Sequence, residues 1–288
     1  MAWTLTDDLG AFDTAADAFL LADPVTHTQN LTVLHALRER GPHAFAPEPP
    51  RFGWWTDESG AVAGAFVHTP PFPVLLARTP DASLAPLADA LAEVVGPAAL
   101  SVNARTAVSD TFAEIWSART GTTPRVKQAQ RLFRLGTLTP PAPAPAGLAR
   151  AAGPEDTATL VAHVNAFQAE ATPGESGVRN AAAQVELRLS FGGYTLWEHD
   201  GAVVSVAGQT PAVAGAARIG PVYTPPEHRG RGYGAAVTAA RTEAALAAGA
   251  DEVLLFTDLA NPTSNSIYRK IGYEPVEDRV ILAFDPRP

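Results

Sequence analysis

This sequence predicts a mixed α/β protein of two domains, each a central mixed β-sheet flanked by helices. Three observations carry the prediction. The first is size and apolar content: 288 residues, 46% hydrophobic and 18% charged, which suits two ordinary cores at ~100–200 residues per domain. The second is a seam. Thr139-Pro140-Pro141-Ala142-Pro143-Ala144-Pro145-Ala146-Gly147 alternates proline with small residues. Proline has no amide donor and favours an extended polyproline II path, so this stretch reads as a linker. It separates residues 1–138 from residues 148–288. The third is a similar order of elements on the two sides.

Within 148–288, Pro154–Gln168 has the pattern of an amphipathic helix, and Val178–Ser190 that of a second. Tyr194–His199 and Ala202–Gly208 are apolar strands joined by Asp200-Gly201, a strong hairpin signal. Arg218–Tyr223 is a further strand. A glycine-rich turn then opens an alanine-rich helix, Gly234–Ala248, stopped by Gly249. Glu252–Thr257 is a buried strand, Thr263–Ile271 a short helix before Gly272, and Arg279–Phe284 the last strand. The first side repeats this order: strands at Phe52–Thr56, Ala61–His68 and Phe72–Ala77, helix Leu84–Val95, strand Ala98–Asn103, helix Asp110–Ala118 and strand Gln128–Leu135. The ends also match, because Ile115-Trp116 precedes Gly121 and Pro124 as Ile267-Tyr268 precedes Gly272 and Pro275. Two divergent copies of one fold explain this order.

Charge and residue choice narrow the function. Lys plus Arg number 21 and Asp plus Glu 30, for a net charge of −9. An acidic protein is repelled by a polyphosphate backbone, so nucleic acid is not the expected partner. There is no cysteine, which excludes disulfides, zinc thiolates, iron–sulfur clusters and thiol nucleophiles. The seven histidines are scattered without paired ligand spacing, so no metal is expected. The first twenty residues hold Asp7, Asp8, Asp13 and Asp17 and no basic stretch, unlike a signal peptide. With no apolar run of ~18 residues a membrane span is not expected. The cytoplasm is the expected location. Only Lys127 and Lys270 are lysine and the other basic residues are arginine, which with abundant Ala, Pro and Gly points to a GC-rich bacterial source.

The chemistry concentrates in Thr224-Pro225-Pro226-Glu227-His228-Arg229-Gly230-Arg231-Gly232-Tyr233-Gly234. Its closely spaced glycines lie between a strand and a helix start, where glycine permits backbone conformations that a side chain blocks. Successive amides of Gly230, Arg231, Gly232, Tyr233 and Gly234 can converge on one anion. The helix N-terminus adds partial positive charge there, and Arg229 and Arg231 add full charges. The turn lacks the Lys-Ser/Thr ending of a P-loop and the glycine spacing of a dinucleotide fingerprint.

Arg229-x-x-Gly232-x-Gly234 resembles the coenzyme A signature of the GNAT superfamily of acyl-CoA-dependent N-acetyltransferases, Arg/Gln-x-x-Gly-x-Gly/Ala between the fourth strand and third helix. A second motif supports the resemblance. Asn261-Pro262-Thr263-Ser264-Asn265-Ser266-Ile267-Tyr268-Arg269-Lys270-Ile271-Gly272-Tyr273 is similar to that family's Asn-x-x-Ala-x-x-x-Tyr-x-x-x-Gly-Phe/Tyr, with Ser264 in the small-residue position. The resemblance covers 148–288. It reaches 1–138 only through the duplication: Phe72–Leu84 lacks the glycine signature and Trp116 stands where the tyrosine would be. The first copy is therefore expected to be degenerate, a structural or substrate-shaping half.

The resemblance implies roles. The main chain of Val222, Tyr223 and Thr224 would pair with the pantetheine arm, and Asn261 would hydrogen-bond it, with Asn265 a secondary contact. Asn261 equally suits a helix N-cap before Pro262. Tyr268 would be the general acid that protonates the departing thiolate, the other reading being a core aromatic that packs the short helix. A base must deprotonate the attacking ammonium. Glu170 and Glu175, in the Gln168–Gly177 acceptor segment, are its candidates, with Glu227, Asp258, His163 and His228 behind them. His163 is expected on the polar face of its helix.

The implied function is an acetyl-CoA-dependent N-acetyltransferase. A primary amine of a small molecule or peptide would attack the acetyl group directly in a ternary complex, by a monomer or homodimer, with acetyl-CoA and the amine as its partners. The rival reading is a non-catalytic acyl-CoA-binding sensor or regulatory module.

Overall fold

Asp8 starts the first helix. Its carboxylate accepts from the amides of Gly10 and Ala11, at 2.8 and 3.3 Å, satisfying two of the donors that a helix N-terminus leaves open. Phe12, Ala16 and Leu20, spaced by four, are its fully buried face. This helix, strand Ala2–Thr6, helix Thr28–Arg40 and strand Leu148–Ala151 are elements that the sequence reading does not contain. The structure, a computed structural model, describes residues 1–95, 100–171 and 180–286.

The elements run in two rounds. The first is β1 (Ala2–Thr6), α1 (Leu9–Leu21), α2 (Thr28–Arg40), β2 (Arg51–Thr56), β3 (Val62–His68), β4 (Val74–Leu76), α3 (Leu84–Val94), β5 (Ser101–Arg105), α4 (Thr106–Thr120) and β6 (Thr122–Leu135). The second is β7 (Leu148–Ala151), α5 (Thr157–Ala171), α6 (Ala181–Leu189), β8 (Tyr194–His199), β9 (Ala202–Gln209), β10 (Ala216–Tyr223), α7 (Tyr233–Ala247), β11 (Glu252–Asp258), α8 (Pro262–Lys270) and β12 (Tyr273–Pro286). Apart from short 3-10 turns the two rounds have the same order. Of the second helix expected at Val178–Ser190, residues 178 and 179 lie outside the described residues, and the remainder is α6 with its Asn180 cap.

The chain groups into two units: Met1–Leu132 with Asp258–Ala260 and the residues from Val276 onward, and Phe133–Thr257 with Asn261–Pro275. These units differ at their edges from 1–138 and 148–288. The proline-rich stretch falls inside the second unit, where Gly136 and Thr139 donate to the carbonyls of Gly272 and Ile271. The end of the chain falls in the first unit, because β12 runs antiparallel to β5, with Arg279 opposite Arg105 and Ala283 opposite Ser101. Arg131 adds a two-pronged ion pair to Asp278, at 2.6 and 2.8 Å.

In the first unit the strand order is β1-β2-β3-β4-β5-β12-β6, with β4 and β5 parallel. Leu76, Leu87, Val102, Phe112, Trp116 and Phe284 are among its fully buried core. In the second unit the order is β11-β10-β9-β8-β7, with β10 and β11 parallel and the others antiparallel. One sheet face packs Tyr194, Leu196 and Val206 on Leu160, Val164 and Val185 of α5 and α6. Another cluster packs Trp197, Val204 and Ala207 on Tyr233, Ala236 and Val237. Each face thus fixes helices whose termini build the site described next.

Candidate functional site

β10 is the strand that opens the site. It pairs with β11 only from Ala216↔Glu252 to Ile219↔Leu255, then runs four residues further. On its other edge the register to β9 shifts between Ile219↔Gln209 and Val222↔Ala207. Gly220 and Pro221 thus stand opposite the single residue Gly208, a β-bulge. Proline cannot donate to the ladder, which accounts for the break. A side chain at Gly208 would press within 3.2 Å of the Gly220 carbonyl and 2.7 Å of the Tyr194 ring. The result is a β10 edge from Gly220 to Tyr223 without a β11 partner in the register.

Beyond β10 the chain makes one tight turn, with His228 and Arg229 donating to the carbonyls of Pro225 and Pro226. Gly230 and Gly232 then take φ of +75° and +84°, the left-handed region that costs other residues roughly 1–2 kcal/mol. A Cβ at Gly230 would meet nothing within 4 Å, so backbone conformation, not crowding, is what calls for glycine there. Helix α7 follows, its first closing bond being Ala236 N to Gly232 O. Among the described residues, the amides of Gly230, Arg231, Gly232, Tyr233, Gly234 and Ala235 reach no protein acceptor. Six consecutive open donors at a helix N-terminus suit an anion, by hydrogen bonding and by the helix dipole together.

The rim of this cradle is organised by Arg229. Its Nε donates to the Thr224 carbonyl at 2.9 Å, and its Nη2 reaches both carboxylate oxygens of Glu170, at 2.7 and 2.8 Å. The Tyr223 hydroxyl also donates to Glu170, at 3.3 Å, and the guanidinium lies 5.8 Å from the Tyr223 ring centre. Burial raises the Tyr223 pKa, and the neighbouring Glu170 carboxylate adds to the shift. The main chain here is fixed by Ser205, whose hydroxyl donates to the Tyr223 carbonyl at 3.1 Å and meets Thr224 Oγ1 at 2.8 Å. Val222 is half-buried beside the bulge.

Helix α5 brings Glu170 to this point. Its start is held by Asp156, which accepts from the Gly153 amide at 2.8 Å and pairs with Arg150 at 2.7 and 2.8 Å. Leu160 and Val164 bury one face. His163 lies seven residues before Glu170, two turns along the same side. The expectation that His163 sits on a polar face is corrected here: it is half-buried, its ring 5.7 Å from that of Tyr223. Burial holds its imidazole below the usual pKa, with Glu227 opposing the shift and His228 adding to it.

Tyr268 occupies the buried side of α8. It packs edge-on against Phe133 and Tyr273, at ring distances of 6.5 and 6.3 Å. Burial pushes its phenol up to about 12, while a hydrogen bond with Ser264 acts in the other direction. Asn261 caps the helix: its side-chain oxygen accepts from the Ser264 amide at 3.0 Å, and its carbonyl accepts from the Asn265 side chain at 2.8 Å. The N-cap reading of Asn261 is thus realised. Glu175 lies outside the described residues. Glu227 is exposed, and Asp258 belongs to the first unit, where it accepts from the Ala260 amide at 2.7 Å. Among the described residues no group of three His, Cys, Asp or Glu could hold a metal ion, and no helix is long and apolar enough to cross a membrane.

Sequence reasoning missed Ser205 and the pairing of Glu170 with Arg229. Neither has a local signature, since the paired residues lie 18 and 59 positions apart.

Comparison with known proteins agrees with this architecture. The family model described as FR47-like protein matches residues 200–282, the stretch from the β8–β9 turn into β12. Comparison with curated protein sequences finds no match. Among solved structures, a GCN5-related N-acetyltransferase from Sphaerobacter thermophilus has a TM-score of 0.65 at 17% identity, covering 99% of this chain and 96% of that one. A GNAT-family acetyltransferase from Colwellia psychrerythraea has a TM-score of 0.61 at 11% identity over the full length of both chains. A tandem GNAT protein from the clavulanic acid biosynthesis pathway has a TM-score of 0.55 at 17% identity, covering 99% of each chain. Fold and comparisons place this chain among the GNAT-fold proteins. The likeness to the tandem member extends over both rounds of elements.

Proposed function

We propose that the protein is an acyl-CoA-dependent N-acetyltransferase whose second unit binds acetyl-CoA and transfers its acetyl group to a primary amine. One observation carries this reading. The six unpaired amides at the start of α7 lie directly after the unpaired edge of β10, which gives a diphosphate its donors and an amide-bearing arm a strand to lie along. The thioester would supply an activated acetyl carbonyl and a thiolate leaving group.

The chain's own residues then have these tasks. Gly230 to Gly234 hold the diphosphate, with Arg229 and Arg231 at its rim. Val222, Tyr223 and Thr224 guide the arm, joined by Asn261 and Asn265 through whatever polar atoms the helix cap leaves open. Tyr268, protonated at neutral pH even at the ordinary tyrosine value of about 10 and pushed up to about 12 by burial, offers its hydroxyl proton to the departing sulfur. Against a thiol of pKa ~8.5 complete transfer from so weak an acid runs uphill. The phenol therefore stabilises the thiolate chiefly by a hydrogen bond, and the amine's own proton balances the reaction. Glu170, or Glu175 of the same acceptor segment, takes that proton.

The first unit is read as a degenerate copy. After β4 its chain turns into α3 through Pro80 and Asp81, with no glycine run and an acidic side chain where an anion would sit. Arg279 bridges the end of β4 and the middle of β5, donating to the carbonyls of Leu76 at 2.8 Å and Asn103 at 3.2 Å.

Two measurements test the proposal. Acetyl-CoA should raise the thermal midpoint, since ligand binding to the native state alone stabilises it by mass action. A panel of aliphatic and aromatic primary amines should then release free thiol from acetyl-CoA. No thermal shift overturns the cradle. A shift without thiol release from any amine overturns the transferase and leaves a coenzyme sensor.

A further inference from the structure

The guanidinium of Arg229 stands at the rim of a site for an anion, yet a carboxylate of the same chain already occupies it. Nη2 touches both oxygens of Glu170, while Nε is anchored on the Thr224 carbonyl. The contact is built to exchange. The two side chains are 47% and 51% exposed, and an ion pair so open to water is worth little, up to about a factor of five in an equilibrium. A diphosphate carries more charge than one carboxylate, and it gains the α7 amides as well. The Nε anchor and the Tyr223 ring beside the guanidinium keep Arg229 at the rim while its Nη atoms change partner. Glu170 released in this way keeps the Tyr223 hydroxyl as its donor. It lies two turns along α5 from His163, whose imidazole burial holds below its usual pKa. With the Nη atoms of Arg229 engaged by the diphosphate, the freed carboxylate no longer has a cation to itself.

We propose that Glu170 is an internal stand-in for the coenzyme diphosphate on Arg229, and that its displacement exposes the carboxylate that receives the acceptor's ammonium. Coenzyme therefore binds first and a cationic amine second, and the empty enzyme is guarded against binding the amine alone. The inference rests on the acetyl-CoA reading of the second unit and adds to it an order of binding and a charge for the acceptor.

Calorimetric titration of coenzyme A into the full chain tests it, comparing wild type with Glu170→Gln and Glu170→Ala. Either variant removes the competitor, so coenzyme A should bind about two- to fivefold more tightly. Initial rates with the amine that releases thiol fastest give a second readout. In Glu170→Gln the KM for acetyl-CoA should fall while the KM for the amine rises at least tenfold, an opposed movement that a purely structural ion pair would not produce. Unchanged or weaker coenzyme A binding in both variants, or two KM values moving together, overturns the inference alone. Failure of the wild type to bind coenzyme A overturns it together with the acetyl-CoA reading.

Discussion

Arg279 donates to the main-chain carbonyl of Leu76 at 2.8 Å, so a buried guanidinium from the last strand closes the end of β4 onto β5. The same Nη2 reaches the Asn103 carbonyl at 3.2 Å, Nε reaches the Asn103 side chain at 3.2 Å, and Nη1 is neutralised by Glu277 at 2.8 Å. In the second unit the corresponding parallel pair, β10 and β11, has parted by this point. The second unit therefore has an open strand edge and the first a plugged one.

That contrast predicts stoichiometry. Calorimetric titration with acetyl-CoA should give one site per chain, and Arg231→Ala, which alters only the second unit's rim, should weaken that one site. Two sites of similar affinity would show that the first unit also holds coenzyme.

Tyr268→Phe keeps the ring that packs on Phe133 and Tyr273 and removes the hydroxyl and its bond with Ser264. Loss of one hydrogen bond should cost about 1 kcal/mol of stability, a shift of the thermal midpoint by a few degrees. The turnover number should fall far more, by about 10²-fold or greater, the usual range for removing a hydrogen bond to charge that develops in the transition state. The KM for acetyl-CoA should change by less than a factor of about three. Steady-state rates of thiol release decide it, and an unchanged kcat removes Tyr268 from the leaving-group role.

His68 gives the first unit a pH dependence. It is buried, with Arg51 close by, and both lower its pKa to about 4, against a hydrogen bond with the main chain of Phe72. The unfolded chain binds a proton at this histidine from pH 6.5 downward, whereas the folded chain resists until about pH 4. Stability is thus fully present above the unfolded value and is lost as pH falls through this window. Between pH 7 and pH 4.5 the wild type should lose about 2 kcal/mol more stability than His68→Gln, read from urea unfolding at each pH. Parallel curves for the two proteins would contradict the assignment.

How much of this was legible in the sequence depends on how local each cause is. The glycine turn was readable because positive φ at Gly230 and Gly232 is a demand on single residues. The Asp200-Gly201 hairpin follows from the same kind of local demand, with Asp200 and Gly201 at φ of +50° and +75°. Helix α1 left a trace in Asp8 and in Phe12, Ala16 and Leu20, but Asp13 and Asp17 are its only charged residues and apolar residues run almost all round it, so the buried stripe barely stands out. The edges of the two units could not be read at all. β12 pairs with β5 across more than 170 residues of chain, as in the contact of Arg279 with Asn103, and no local pattern records that choice. The same holds for Glu170 and Arg229, joined only once α5 and the turn after β10 are in place.

In the proposed function the amides from Gly230 to Ala235 receive a diphosphate. The most direct measurement is a backbone-amide NMR titration of the ¹⁵N-labelled protein with coenzyme A. The amide protons of Gly230, Gly232, Tyr233 and Gly234 should move downfield most strongly and saturate together, as new hydrogen bonds to phosphate form. Saturating binding that leaves those resonances in place, with the largest shifts elsewhere, would contradict it.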